Sequence, residues 1–276
     1  MRRGRQLIWA FLLGAVVIMT LIDSKVVLAA EENQAFRGNW EQKESGDWMY
    51  RDENGNIARN QVTPDGYYVD GNGIWIPDEY NVEDLKAGEN TSQLIVVAGK
   101  DSCARVTIYN KEADGTWSTF ADTGAYIGRK GLGKEKEGDE KTPVGLFSLD
   151  KAFGIQPNPG SVRPYTQLTD SHYWVGDSSS RYYNQFVDRN ETGEAFNASS
   201  SEHLLGCGRV YNYVLSIGYN KECIPYRGSA IFLHCSAGVP TGGCVAVPGE
   251  IMVNLLKTIR DDAVILIDSG ENIGKY

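Results

Sequence analysis

Residues Ile231 to Pro248 read I-F-L-H-C-S-A-G-V-P-T-G-G-C-V-A-V-P, and this stretch carries the chemistry of the chain. An apolar strand ends on His234, and a nine-residue segment then leads to Cys244. Two glycines precede the cysteine, so the backbone there can turn tightly and be approached closely. A thiol is mostly protonated near neutral pH, and the thiolate is the species that attacks carbonyl carbon. A base within reach solves that problem, and His234 is the candidate. The pattern points to acyl transfer through a thioester. The amide N–H groups of Gly243 and Cys244 are candidates to hold the oxyanion, where losing one donor costs about 10²–10³ in rate.

The remaining histidines are His172 and His203. His203 and Cys207 stand four apart, but no second Cys/His pair has finger spacing, so neither a metal nor another cofactor is expected. Gly128–Gly138 reads as a Gly/Lys/Glu loop, and its first part, Gly128–Gly133, lacks the G-x-x-x-x-G-K-[ST] pattern of a phosphate loop and reads as a mobile basic loop.

These residues need a rigid frame. Leu94–Ala98, Val106–Tyr109, Trp117–Tyr126, Tyr211–Tyr219, Ala230–His234 and Val264–Ile267 read as strands. Glu250–Ile259 is the clearest helix, with Ile251, Leu255, Leu256 and Ile259 on one face. The expectation is a mainly β domain over residues 92–276 with one or two short helices.

Residues 36–76 differ from the rest. Gly-x-aromatic and Asp-x-x-Gly patterns recur at an offset of about 20 residues, which suggests small repeated β-hairpins. Residues 77–91 are polar and acidic and read as a linker. At the N-terminus, Arg2, Arg3 and Arg5 precede the apolar run Leu7–Ile22, and Ala29-Ala30 follow. Residues 1–30 therefore read as an export signal or N-terminal anchor, with the folded part secreted.

The chain carries a net charge of -9 over 276 residues. Residues 1–30 hold four basic and one acidic residue, so the remainder stands at -12. That balance argues against nucleic-acid binding through phosphate contacts. Five cysteines, an odd number, leave at least one thiol outside any disulfide scheme. If Cys244 is reactive, the other four allow three pairings, and nothing in the sequence chooses among them.

The C-terminal stretch resembles the L,D-transpeptidase (YkuD-type) catalytic domain, in which a histidine precedes Ser/Thr-x-Gly-Cys. The matching residues are His234, Thr241, Gly243 and Cys244. Lys141-Thr142-Pro143-Val144-Gly145 is similar to that family's K-T-P-x-G segment, and Ile217–Asn220 looks like a strand lining the site. Residues 36–76 resemble degenerate cell-wall-binding (choline-binding-like) repeats. The resemblance implies a β-sandwich or barrel-like catalytic fold and an exported enzyme of peptidoglycan cross-linking and cell shape.

On that resemblance Cys244 attacks a peptidoglycan stem peptide and His234 takes the thiol proton. The Cys235 carbonyl orients the imidazole, Thr241 and Gly243 shape the oxyanion site, and Tyr219, Asn220 and His203 are candidates to contact substrate. The partners implied are stem peptides and, through residues 36–76, wall polymers. Hydrolysis of the same thioester, an L,D-carboxypeptidase activity, and a non-catalytic wall-binding role are the alternatives. The chain departs from the family in having Gly242 for a second histidine, a shorter His-to-Cys spacing and Ala246 two residues past the cysteine. The shorter spacing implies a more open site.

Overall fold

The computed structural model describes residues 39–77, 79–193 and 195–276. The export segment read at residues 1–30, and the start of the hairpin region, lie outside the described residues. Among the described residues, sixteen strands follow in chain order. β1 (Trp40–Gln42), β2 (Trp48–Tyr50), β3 (Gln61–Val62) and β4 (Tyr68–Val69) belong to the hairpin region. β5 (Gln93–Lys100), β6 (Cys103–Lys111), β7 (Trp117–Tyr126), β8 (Gly145–Gly154) and β9 (Tyr165–Gln167) come next. An insertion carries β10 (His172–Trp174), β11 (Phe186–Asp188) and β12 (Glu202–His203). The chain then runs through β13 (Val214–Ile217), β14 (Phe232–Cys235), β15 (Val245–Val247) and β16 (Val264–Ser269). Among the described residues the α-helices are short: α1 (Arg189–Thr192), α2 (Gly249–Thr258) and α3 (Gly270–Ile273).

Eight strands close on themselves in the order β13-β14-β15-β7-β6-β5-β16-β8, with β13 pairing β8 to complete the ring and β9 added on the outer side of β8. The mainly β expectation holds, and its form is a closed barrel. Closure removes the exposed strand edges that an open sheet of this size would present. Two neighbouring pairs, β14–β15 and β16–β5, run parallel, and the rest of the ring is antiparallel.

The period-2 alternation of strands sorts side chains between separate cores. Ile95, Val97, Leu233, Val245 and Val247 join one core with Met252, Leu255 and Leu256 of α2. Leu94, Val96 and Leu266 face the opposite way, onto Leu85, Ala87 and Ile273. Leu94 to Val97 are all buried because both faces of β5 are covered, which is why this strand reads as a continuous apolar run. A further core on the other side of β14 and β15 gathers Phe153, Trp174, Leu204, Tyr211, Val214, Phe232 and Cys244.

Residues 77–91 correct the linker reading. They fold as two turns of 3-10 helix, Val82–Asp84 and Lys86–Gly88, and bury Leu85 and Ala87 against β5 and β16. Residues 41–276 form one compact unit. The hairpin region docks on the barrel: Asn60 Nδ2 donates to Ala125 O at 3.0 Å, and Lys100 pairs with Asp70 at 3.5 Å. Its repeat is a set of tight turns, with Gly46, Gly55, Gly66 and Gly73 each donating N–H to the residue three before it.

Two further expectations change. The strand read at Tyr211–Tyr219 is confined to Val214–Ile217, because Leu204–Tyr211 winds as 3-10 helix to bury Leu204 and Tyr211. The loop 128–142 is not loose. Arg129 N–H donates to Thr241 O, Lys130 N–H to Glu140 O, and Gly133 and Lys134 N–H to Thr142 O.

Candidate active site

The register of β14 and β15 brings the histidine and the cysteine together. His234 lies opposite Ala246 and Leu233 opposite Val245. Cys244 is two residues before Ala246, so alternation puts Phe232, His234, Cys244 and Ala246 on one face of the sheet. Diagonal neighbours at that offset are within reach of long side chains. Parallel neighbours need a crossover, and here it is only the loop 236–244. A loop that short crosses directly over the face carrying His234 and Cys244. Ala237, Val239, Pro240, Thr241 and Gly242 therefore line a cavity of about 460 Å³ together with both residues. Lys134, Glu137, Gly138, Glu202, Cys207 and Tyr211 are further parts of its wall.

His234 is buried, and its Nδ1 lies 2.9 Å from Cys235 O. A carbonyl only accepts, so Nδ1 carries the proton and Nε2 keeps its lone pair. Tyr211 packs edge-on against the imidazole at 5.4 Å, and its hydroxyl donates to Glu202 Oε2 at 2.6 Å. Burial lowers the His234 pKa below the usual 6.5 and outweighs the opposing effect of the Cys235 carbonyl.

The Cys244 thiol is engaged with the β14 side of the site. Its Sγ accepts the Phe232 N–H at 3.3 Å and donates to Ala230 O at 3.3 Å, and no hydrogen bond joins it to His234. Burial first, then the nearby Glu202 charge, push the thiol well above its usual range, against the pull of the Phe232 N–H and Lys134. Both groups are thus neutral in this resting arrangement. The open site implied by the short spacing is not what forms, since Cys244 is only 8% exposed. Any approach of the sulfur to Nε2 would first have to break its contact with Ala230 O.

The electrostatics predict a pH profile. A base whose pKa is lowered stays unprotonated to lower pH, so the acid limb of acylation should fall with a midpoint below 6.5. Ultraviolet titration of thiolate should find Cys244 protonated through neutral pH. A thiolate already present at pH 7 would contradict the neutral pair.

Thr241 holds the cysteine loop. Its Oγ1 accepts the Gly243 N–H at 3.0 Å and donates to Cys244 O at 2.7 Å. The Gly243 N–H is therefore committed to Thr241 and is not free for an oxyanion, which corrects the role read for it. Gly243 serves by conformation instead: its φ is +143°, and a Cβ would come within 2.7 Å of Lys141 O. That contact seats the cysteine loop on the Lys141–Thr142 segment. Thr241→Val should lose about 1–3 kcal/mol of stability, because it strands a donor and an acceptor. Thr241→Ser should retain most of it, and denaturant unfolding of the two variants decides.

The three residues read as substrate contacts do not line the cavity. Tyr219 OH donates to Arg227 O at 2.8 Å, and its ring packs on Phe147. Asn220, at φ +51°, ties its side chain to Ile224 and Gly228. His203 Nε2 binds Asp170 O at 2.9 Å and the ring stacks on Tyr173. Sequence reading missed Lys134, Glu137, Glu202 and Tyr211, which do line it.

All five cysteines are free thiols. Cys235 points into the α2 core and Cys244 into the core on the opposite face, so these two cannot be bridged. Cys207 is the second thiol on the cavity, with its pKa pushed up to about 12 by burial and by Glu202. Among the described residues, no group of three or more His, Cys, Asp or Glu is placed to hold a metal ion. A larger cavity, about 830 Å³, lies between the hairpins and the barrel and is lined by neither cysteine nor histidine.

No family model matches the chain, and no curated protein matches it. Among solved structures it is similar to the helical cell shape determining protein Pgp2 from Campylobacter jejuni, with 15% identity and a TM-score of 0.37. The match covers 67% of this chain and 53% of that one, so it spans about half of the Pgp2 chain. A likeness at this level does not bear on fold or activity.

Proposed function

We propose that this protein is an exported cysteine acyltransferase acting on peptidoglycan stem peptides, with the chemistry of an L,D-transpeptidase. The observation that carries this reading is the placement of His234 and Cys244 on one sheet face at one cavity, with Nδ1 of the imidazole committed to Cys235 O. That arrangement supplies a rigid base with a free lone pair next to a thiol under a loop.

In the proposed reaction the thiol rotates out of its contact with Ala230 and gives its proton to His234 Nε2. The sulfur adds to the carbonyl before the terminal D-alanine of a tetrapeptide stem. With the Gly243 N–H committed to Thr241, the Cys244 N–H is the donor assigned to the oxyanion. Collapse breaks the peptide bond, His234 returns the proton to the departing amine, and D-alanine leaves. An amine of a second stem then attacks the thioester, transfers the acyl group and restores the thiol. Water in place of the amine makes the same enzyme an L,D-carboxypeptidase.

A non-catalytic wall-binding role is the second reading, and the enclosed, protonated thiol is the observation in its favour. Intact mass of the protein spanning residues 31–276 separates the two. Incubation with a disaccharide-tetrapeptide or a carbapenem should add one acyl group to the wild type. No adduct on reduced, folded protein overturns the acyltransferase reading.

A further inference from the structure

Lys134 is the one lysine or arginine among the residues lining the Cys244 cavity. Its side chain is 2% exposed, and its Nζ lies 2.8 Å from Asp139 Oδ1. That oxygen is its one hydrogen-bond partner among the described residues, whereas an ammonium carries three donors. Two N–H bonds therefore remain for a group inside the cavity.

The surroundings are built to hold this cation in place. Burial alone would raise the Asp139 pKa, but Lys134 and the N–H groups of Glu135, Lys136 and Lys141 hold it well below the usual carboxylate range. Asp139 thus stays ionised and fixes the ammonium. On the other side, Gly228 at φ +119° leaves room for the lysine stem, since a Cβ there would come within 2.5 Å of Lys134 Cε. Tyr219 and Asn220 hold that wall through Arg227 O and Gly228 O. These two residues, read from sequence as substrate contacts, act as positioning residues behind the lysine.

We infer that Lys134 binds a carboxylate of the ligand that occupies the Cys244 cavity, and that this carboxylate is the C-terminal one of the residue leaving during acylation. The inference rests on the acyltransferase reading. A free carboxylate paired with a buried, oriented ammonium discriminates strongly against a neutral amide, which strands the charge.

The test compares a stem tetrapeptide ending in free D-alanine with the same peptide as its C-terminal amide. Binding is measured by calorimetry on full-length protein carrying Cys244→Ala, so that no reaction intervenes. The carboxylate form should bind about ten- to a hundredfold more tightly. Removing the lysine alone would strand Asp139, so the second protein also carries Lys134→Met with Asp139→Asn, which keeps the site neutral. Its preference should fall to about one, with circular dichroism reporting that the fold is kept. Equal binding of both peptides to the first protein, or an unchanged preference in the second, overturns the inference even where wild-type Cys244 is acylated. A lysine-dependent preference with no acylation of the wild type supports the carboxylate site and instead overturns the acyl-transfer reading.

Discussion

Cys244→Ala should abolish covalent capture of a tetrapeptide stem or a carbapenem while the protein keeps its fold. Removing a nucleophile outright costs on the order of 10⁶ in kcat, which takes adduct formation below detection by intact mass. The structural cost is small by comparison. The substitution deletes one sulfur from a core shared with Phe232, Trp174 and Leu204, and leaves the Phe232 N–H and Ala230 O without that partner. The expected loss is about 1–2 kcal/mol, visible as a shift in unfolding midpoint and far from unfolding the domain. The control matters because Cys207 lines the same cavity. An adduct that persists on Cys244→Ala would move the nucleophile to Cys207 and sink the assignment of Cys244. Burial disfavours that outcome, since it pushes the Cys207 pKa to about 12 and keeps thiolate scarce at neutral pH.

What the sequence discloses and what it hides divide along a physical line. Strands are local: β7 spans Trp117–Tyr126 as read, and α2 covers Gly249–Thr258, one residue ahead of the helix read from its apolar face. The placement of His234 and Cys244 at one cavity was also legible, because a strand end, a short loop and a glycine pair leave few ways for the chain to return. Lys134 was not. It sits in a Gly/Lys/Glu loop just past the stretch read as mobile, and only its packing against Asp139 and Gly228 makes it part of the cavity. Tyr219 and Asn220 show the reverse error, since their place in the chain suggested contact with substrate while their hydrogen bonds hold Arg227 and Gly228. The linker reading of 77–91 failed for a similar reason: Leu85 and Ala87 are two apolar residues in a polar run, enough to bury it once β5 and β16 offer a second apolar face. The insertion between β9 and β13 was missed as well. Its strands are three residues or fewer, too short for a periodic signal, yet it delivers Trp174, Leu204 and Tyr211 to the core behind the thiol.

His234→Ala should slow acylation of Cys244 by about 10²–10⁴, the range for loss of a general base. The geometry says why the effect belongs to one nitrogen. Nδ1–H is committed to Cys235 O, so the base is Nε2, and no second tautomer competes while that hydrogen bond stands. Burial lowers the imidazole pKa, which keeps Nε2 unprotonated but also makes it a weaker base toward a thiol whose own pKa is raised. The pair is therefore not charged at rest. In the proposed reaction, proton transfer accompanies the movement of the sulfur away from Ala230, and the developing charges meet Lys134 and the Cys244 N–H. Alanine at 234 leaves a space beside Tyr211 in which free imidazole can stand, so added imidazole should restore part of the rate. The acid limb should then follow the pKa of free imidazole rather than that of the buried side chain. An unchanged acylation rate in His234→Ala would remove this residue from the reaction. Slow acylation that imidazole cannot rescue, with the fold intact, would instead leave His234 as support for the cysteine loop and not its base.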